Sequence, residues 1–251
     1  MKRRKILQFL TAAAASLWMR TLPPGNSLLE AAIPNRPSQE PPADTANFLL
    51  PLFPLDLVLF PETNLPLHIF EPRYKEMIQD CLDNRWEFGI LLDQEGSISN
   101  TGCTASISEV LARFPDGRSN ILVRGERRFE ISQLDEDRSY LRGTVDFLGD
   151  DAADSAVEAL RQRGIELYGR LSELLQLEKQ PFLTPSPIWT DTQLSYRMMA
   201  GIPAAADWKQ ELLELRSEPE RLVRVIGFFE ELIEYLESLP NESSDSGQQT
   251  V

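Results

Sequence analysis

Few side chains in this sequence could carry chemistry, and their spacing decides what chemistry that is. His68 is the only histidine among 251 residues, and so the only conventional general base near neutral pH. It stands in Leu67-His68-Ile69-Phe70, where strand alternation turns it away from the face holding Leu67 and Ile69. No serine or cysteine beside it has a triad-like context, and neither G-x-S-x-G nor a Cys–His signature occurs. A structural or exposed histidine is expected. Cys81 and Cys103 fit no metal spacing, and with one histidine they cannot complete an N/S cage. No metal and no cofactor are therefore expected. Nothing basic adjoins Cys103 in TGCTASI to activate its thiol. A lone disulfide between the two cysteines stays open at this point. Arg124, Arg127 and Arg128 flank Gly125-Glu126 like an anion-binding cluster, but residues 47–150 hold 18 carboxylates against 10 cations. Internal ion pairing is the expectation for them. The chain reads as having no catalytic set, hence as no enzyme.

The elements that must position these groups follow from pattern. Residues 50–73 read LPLFPLDLVLFPETNLPLHIFEPR and contain five prolines. Proline fixes φ and lacks an N–H, so central strands exclude it. Only short strand pieces are predicted here, at 49–53, 57–60 and 65–70. Pro72 then suits the first turn of a helix over 72–84, on which Tyr74, Met77, Ile78, Cys81 and Leu82 share a face. Further short strands are predicted over 87–93, 103–108, 120–123, 128–131 and 140–147, with a turn at Phe114-Pro115-Asp116-Gly117-Arg118. About eight short strands and one helix suggest a curled, barrel-like sheet.

From Asp151 the apolar period changes to that of helices. A run from 156 to 175 is followed by a helix from near Asp191 to Gly201, and by a third that Asp207 could cap. Ser217 and Glu220 have capping-box spacing for a fourth, whose apolar stripe is Leu222, Ile226, Phe229, Ile233 and Leu236. Residues 1–46 form a basic and apolar leader with a proline-rich linker, and residues 241–251 a polar tail. The leader, with Lys2-Arg3-Arg4-Lys5 before an apolar run, has the features of a Sec-like or Tat-like export signal. A cytoplasmic location is the first expectation and export the alternative. No stretch is long and apolar enough to span a bilayer.

Charge narrows the partners. The net charge is −14, made of +3 in residues 1–46, −8 in 47–150, −7 in 151–240 and −2 in the tail. An acidic body repels phosphate, which makes nucleic acid and anionic membranes poor partners.

Several segments are familiar together. LPLFPLDLVLFP, NLPLHIFEPRYKEMI, EFGILL, TGCTASI, VRGERRFEI, YLRGTVDFL, LSYRMMAGIP and WKQELLELRSEPERLVRVIGFFEELI span about residues 48–238. The chain resembles the N-terminal, substrate-binding domain of the ATP-dependent Lon protease. The resemblance implies an α+β fold, a PUA-like β-barrel over 47–150 followed by a helical bundle over 151–240. No G-x-x-x-x-G-K-[ST] phosphate loop occurs, so Lon's ATPase chemistry is not expected; the resemblance stops near residue 238, before the part that would hold its Ser–Lys peptidase, so that activity is not expected either. The implied function is capture of unfolded or exposed polypeptide in protein quality control, without catalysis. Alternatives are an adaptor serving a separate protease, or a PUA-like RNA-binding module; self-association stays open. Phe53, Phe60, His68, Phe70, Glu71, Arg73 and Tyr74 are the candidate contacts, with Phe114 beside them.

Overall fold

A computed structural model describes residues 49–151, 157–177 and 192–239. Six strands come first: β1 (Leu50–Leu55), β2 (Asn64–Ile69), β3 (Phe88–Gln94), β4 (Ser97–Arg113), β5 (Ser119–Asp135) and β6 (Arg142–Leu148). Helix α1 (Pro72–Asn84) lies between β2 and β3. Four helices follow: α2 (Val157–Leu175), α3 (Leu194–Met199), α4 (Ala206–Glu214) and α5 (Glu218–Glu237). The fold class is α+β.

The strand order is β2-β5-β4-β3-β1-β6, and β6 returns to pair with β5. The closure works because β5 divides its partners along its length. Its first half, Ser119 to Arg124, pairs with β2, and its second half, Arg128 to Asp135, pairs with β6. Sequence pattern marks only 103–108 of β4 and divides β5 into 120–123 and 128–131, whereas each is one strand of 17 residues. Register shifts at Cys103/Ala105, Ile107/Glu109, Val110/Ala112 and Ile131/Gln133 supply the bends. A bulge turns a strand without ending it, and so mimics a strand boundary in the sequence.

Two further expectations are corrected. Residues 57–60 form no strand; they carry Leu59 and Phe60 inward on an irregular segment. That segment docks on β5, with Glu62 N–H donating to Gly125 O at 2.8 Å and Gly125 N–H to Thr63 O at 2.9 Å. A Cβ on Gly125 would lie 2.1 Å from the Phe60 carbonyl oxygen, so only glycine admits this approach. Strand β1 is not at an edge, yet it contains Pro51 and Pro54. Leu52 N–H donates to Leu141 O, on the β6 side. By alternation the Pro54 nitrogen faces that side beyond the last rung to β6, at Leu50 and Pro51. The Pro51 nitrogen faces β3 before its first rung, at Leu52. Each missing N–H thus points where no neighbour asks for one.

Helix α1 matches its prediction because every local signal agrees. Glu71 is the N-cap, Pro72 opens the first turn, and Arg85 ends the helix in the left-handed region at φ 58°. Tyr74, Met77, Ile78 and Cys81 are buried and pack against Phe53, Phe88, Ile121 and Val123. Tyr140 O–H and Arg138 both donate to Asp80, at 2.7 and 2.9 Å, which ties α1 to the approach to β6.

The helices bury a second core around Leu171, Tyr196, Met198, Leu222 and Phe229. Ser217 Oγ accepts the Glu220 N–H at the start of α5, as its spacing predicts. The inward face of α5 differs from the predicted stripe. It is Glu218, Arg221, Leu222, Val225, Phe229 and Leu232, with Ile226, Ile233 and Leu236 half-buried at its margin. Asp207 lies in the first turn of α4, whose N-cap is Ala205. Asp191 falls outside the described residues.

Candidate functional site

Strand β2 pairs with β5 alone, so its other edge has no strand partner among the described residues. Such an edge is a row of backbone donors and acceptors ready to receive another extended chain. Pro66 is compatible with it, since an edge strand tolerates one lost donor.

At the end of β2 the side chains form an exposed aromatic patch. His68 is exposed while its neighbour Ile69 is buried, as alternation predicts. His68 Nδ1 bonds Asn120 Oδ1 at 2.6 Å across the β2–β5 pair. An amide oxygen only accepts, so Nδ1 is the donor in this bond. Phe70 is 55% exposed, an unusual position for a large apolar ring. It stacks on His68 at 5.9 Å, and the Phe114 ring meets His68 edge-on at 6.2 Å. Phe114 reaches this place on the turn between β4 and β5. That turn is closed by Phe114 N–H to Arg118 O at 2.9 Å, with Gly117 at φ 82°.

The other candidates divide between surface and core. Glu71 and Arg73 form an exposed ion pair at 2.9 Å beside Phe70. The Arg73 guanidinium lies 4.5 Å over the Tyr74 ring. Tyr74 itself is buried, its ring 4.1 Å from that of Phe53, and burial raises its pKa. Phe53 is barrel core. Phe60 is core of the helical half and stacks on Tyr196 at 4.9 Å. Phe53, Phe60 and Tyr74 therefore hold no surface to offer a ligand in this conformation. Among the seven, His68, Phe70, Glu71 and Arg73 lie together at the surface.

The arginine cluster resolves into separate roles. Arg124 is exposed. Arg127 reaches Glu87 at 3.4 Å and covers the Phe147 ring at 3.8 Å. Arg128 is buried; it donates to the carbonyls of Leu213 and Leu215 at 2.8 Å and to the Asp150 carboxylate. Arg221, also buried, grips the same Asp150 together with Glu218, Ser195 Oγ and the Leu215 carbonyl. One carboxylate thus bridges two inward guanidiniums and locks the β5–β6 end of the barrel to α3, α4 and α5. Sequence reasoning gave Arg128 its pairing but not its partner, and missed Arg221. The Glu218–Arg221 spacing of three on a helix was the available signal.

Both thiols are shut away from solvent. Cys81 and Cys103 are free and buried. Burial pushes the Cys81 thiol up to about 12, and burial likewise raises that of Cys103. Among the described residues no group of histidine, cysteine or carboxylate side chains has the geometry to hold a metal ion.

Comparison with known proteins settles the family. Residues 49–231 match the family described as the ATP-dependent protease La (LON) substrate-binding domain. The chain belongs to that family. Curated relatives of this LON substrate-binding domain chain include the Lon protease of Parabacteroides distasonis, 28% identical over 196 residues, covering 70% of this chain and 23% of the relative. The Lon protease of Cytophaga hutchinsonii is 24% identical over 215 residues, covering 80% and 26%. The chain therefore spans about a quarter of the length of these relatives. The crystal structure of a Lon N-terminal domain protein from Xanthomonas campestris superposes with a TM-score of 0.54 at 24% identity, over 72% of this chain and 99% of that one. The N-terminal domain of the Mycobacterium avium complex Lon protease gives 0.58 at 20% identity, over 73% and 98%. The fold is that of Lon N-terminal domains. No helix among the described residues is long and apolar enough to cross a membrane.

Proposed function

We propose that this LON substrate-binding domain protein binds extended segments of other polypeptides, without transforming them, at the free edge of β2. The observation that carries the reading is the coincidence of a strand edge unpartnered among the described residues with exposed His68 and Phe70 and the half-buried Phe114 at its end. Backbone pairing supplies sequence-tolerant affinity, and the rings supply apolar contact for every second side chain. The Lon relatives support polypeptide as the ligand class. Binding alone is supported by the burial of both thiols and by His68, whose bonded partner is Asn120 and not a serine or cysteine.

Titrating a fluorescently labelled, reduced and alkylated polypeptide, which cannot refold, tests this by anisotropy. Saturable binding is expected, and Phe70→Ala should weaken it by about tenfold, as an anchor ring does. Absence of saturation into the high micromolar range, or an unchanged affinity in Phe70→Ala, would overturn the reading.

A further inference from the structure

We propose that the same surface selects polypeptide segments in which a carboxylate stands beside a bulky apolar side chain. This inference rests on the polypeptide-binding reading and names its preferred ligand. Next to the aromatic patch, α1 and the β4–β5 turn enclose a cleft of about 160 Å³. Ile78, Leu82 and Val110 make its apolar floor, and Lys75, Arg113 and Arg118 make its rim.

The rim is not neutralised from within. Asp116 is the carboxylate that meets it, and Arg118 holds Asp116 through its side chain at 2.6 Å and its N–H at 3.1 Å. These bonds, the backbone one foremost, keep the Asp116 carboxyl below its ordinary value. Lys75 Nζ donates to the Asp116 main-chain carbonyl at 2.9 Å, and its charge meets the Asp116 carboxylate only at longer range, without a direct ion pair. Its stem lies 3.7 Å from where a Gly117 Cβ would be. Arg113 is exposed and has no ion pair or side-chain hydrogen bond among the described residues. Three cations against one carboxylate leave +2 here (3 − 1), on a chain whose net charge is −14. A local reversal of sign over an apolar floor complements a ligand that brings both a negative charge and an aliphatic or aromatic group.

The cleft adjoins the aromatic patch through Phe114, which lines the one and meets His68 in the other. Arg118 lies 5.1 Å over the Phe114 ring, and that ring is 6.2 Å from His68. A segment paired beside β2 that runs on past Phe70 and across the ends of β2 and β5 would bring its end to Lys75 and Arg113 on the β4 side. The acidic body disfavours RNA as the occupant, because its phosphates would face repulsion everywhere outside this cleft.

The test uses the full chain and two labelled peptides that differ only in one Asp-to-Asn exchange next to a Leu-Phe pair. The Asp peptide should bind about fivefold tighter at low salt, the range of a partly exposed ion pair, and the gap should narrow as salt rises. Arg113→Gln should abolish the gap while leaving the Asn peptide's affinity unchanged. Phe70→Ala should weaken both peptides alike. Equal affinities in the parent protein, or a gap that survives Arg113→Gln, would overturn the preference while leaving polypeptide binding intact. Binding of neither peptide, with or without binding of an RNA oligomer, would overturn the polypeptide reading and this inference with it.

Discussion

Arginine serves two opposite purposes in the middle of β5 and beside its start. In the middle Arg128 and, from α5, Arg221 are buried, and carboxylates and carbonyls meet their donors from several elements. Beside the start Arg113 and Arg118 rim an open cleft, with only Asp116 between them. A guanidinium that is fully satisfied inside the protein holds elements together and has nothing left for a ligand. One that is left over at the surface, beside an unpaired strand edge and exposed rings, is free to meet a partner. Residue type alone does not separate these cases; the partners do.

The contrast can be broken from the rigid side first. Arg221→Ala strips Asp150 and Glu218 of a buried counter-ion, and should cost about 3–5 kcal/mol in a urea melt, the range for breaking a buried pair. Gly125→Ala forces a methyl against the Phe60 carbonyl and should cost about 1–3 kcal/mol by the same assay. The thiols make a pH test. Folding raises the Cys81 pKa from 9.0 to about 12, so the unfolded chain loses its proton first. Stability from this group is complete below pH 9 and declines from there to about 12, by about 1.4 kcal/mol for each unit of pH. Denaturation midpoints flat across that range would contradict the burial. On the open side, Phe70→Ala should change stability by less than about 0.5 kcal/mol, and still weaken polypeptide binding. A large loss of stability would place Phe70 with the core residues and erase the contrast.

The sequence reveals what is written locally. Helix α1 is legible because Pro72 and the Tyr74–Met77–Ile78–Cys81 face agree within one short stretch. The Ser217 cap is legible for the same reason. The junction is not, because Arg221 and Asp150 are 71 positions apart and no local pattern links them. Arg221 also shifted the inward face of α5, since a buried cation reads as solvent-facing in any hydropathy pattern. The candidate site was half legible. His68 and Phe70 follow from strand alternation at an edge, but Phe53, Phe60 and Tyr74 have the same composition as surface anchors and only packing sends them inward. Prolines in β1 misled in the other direction, because their tolerance depends on which neighbour each nitrogen faces.

Amide hydrogen exchange on the full chain, with and without a saturating unfolded polypeptide, tests the central claim most directly. Protection should appear in β2, residues 64–69, and at the turn around Phe114, with the Arg128–Arg221 junction unchanged. Protection confined to the helices, with β2 exchanging as in the free protein, would contradict the account.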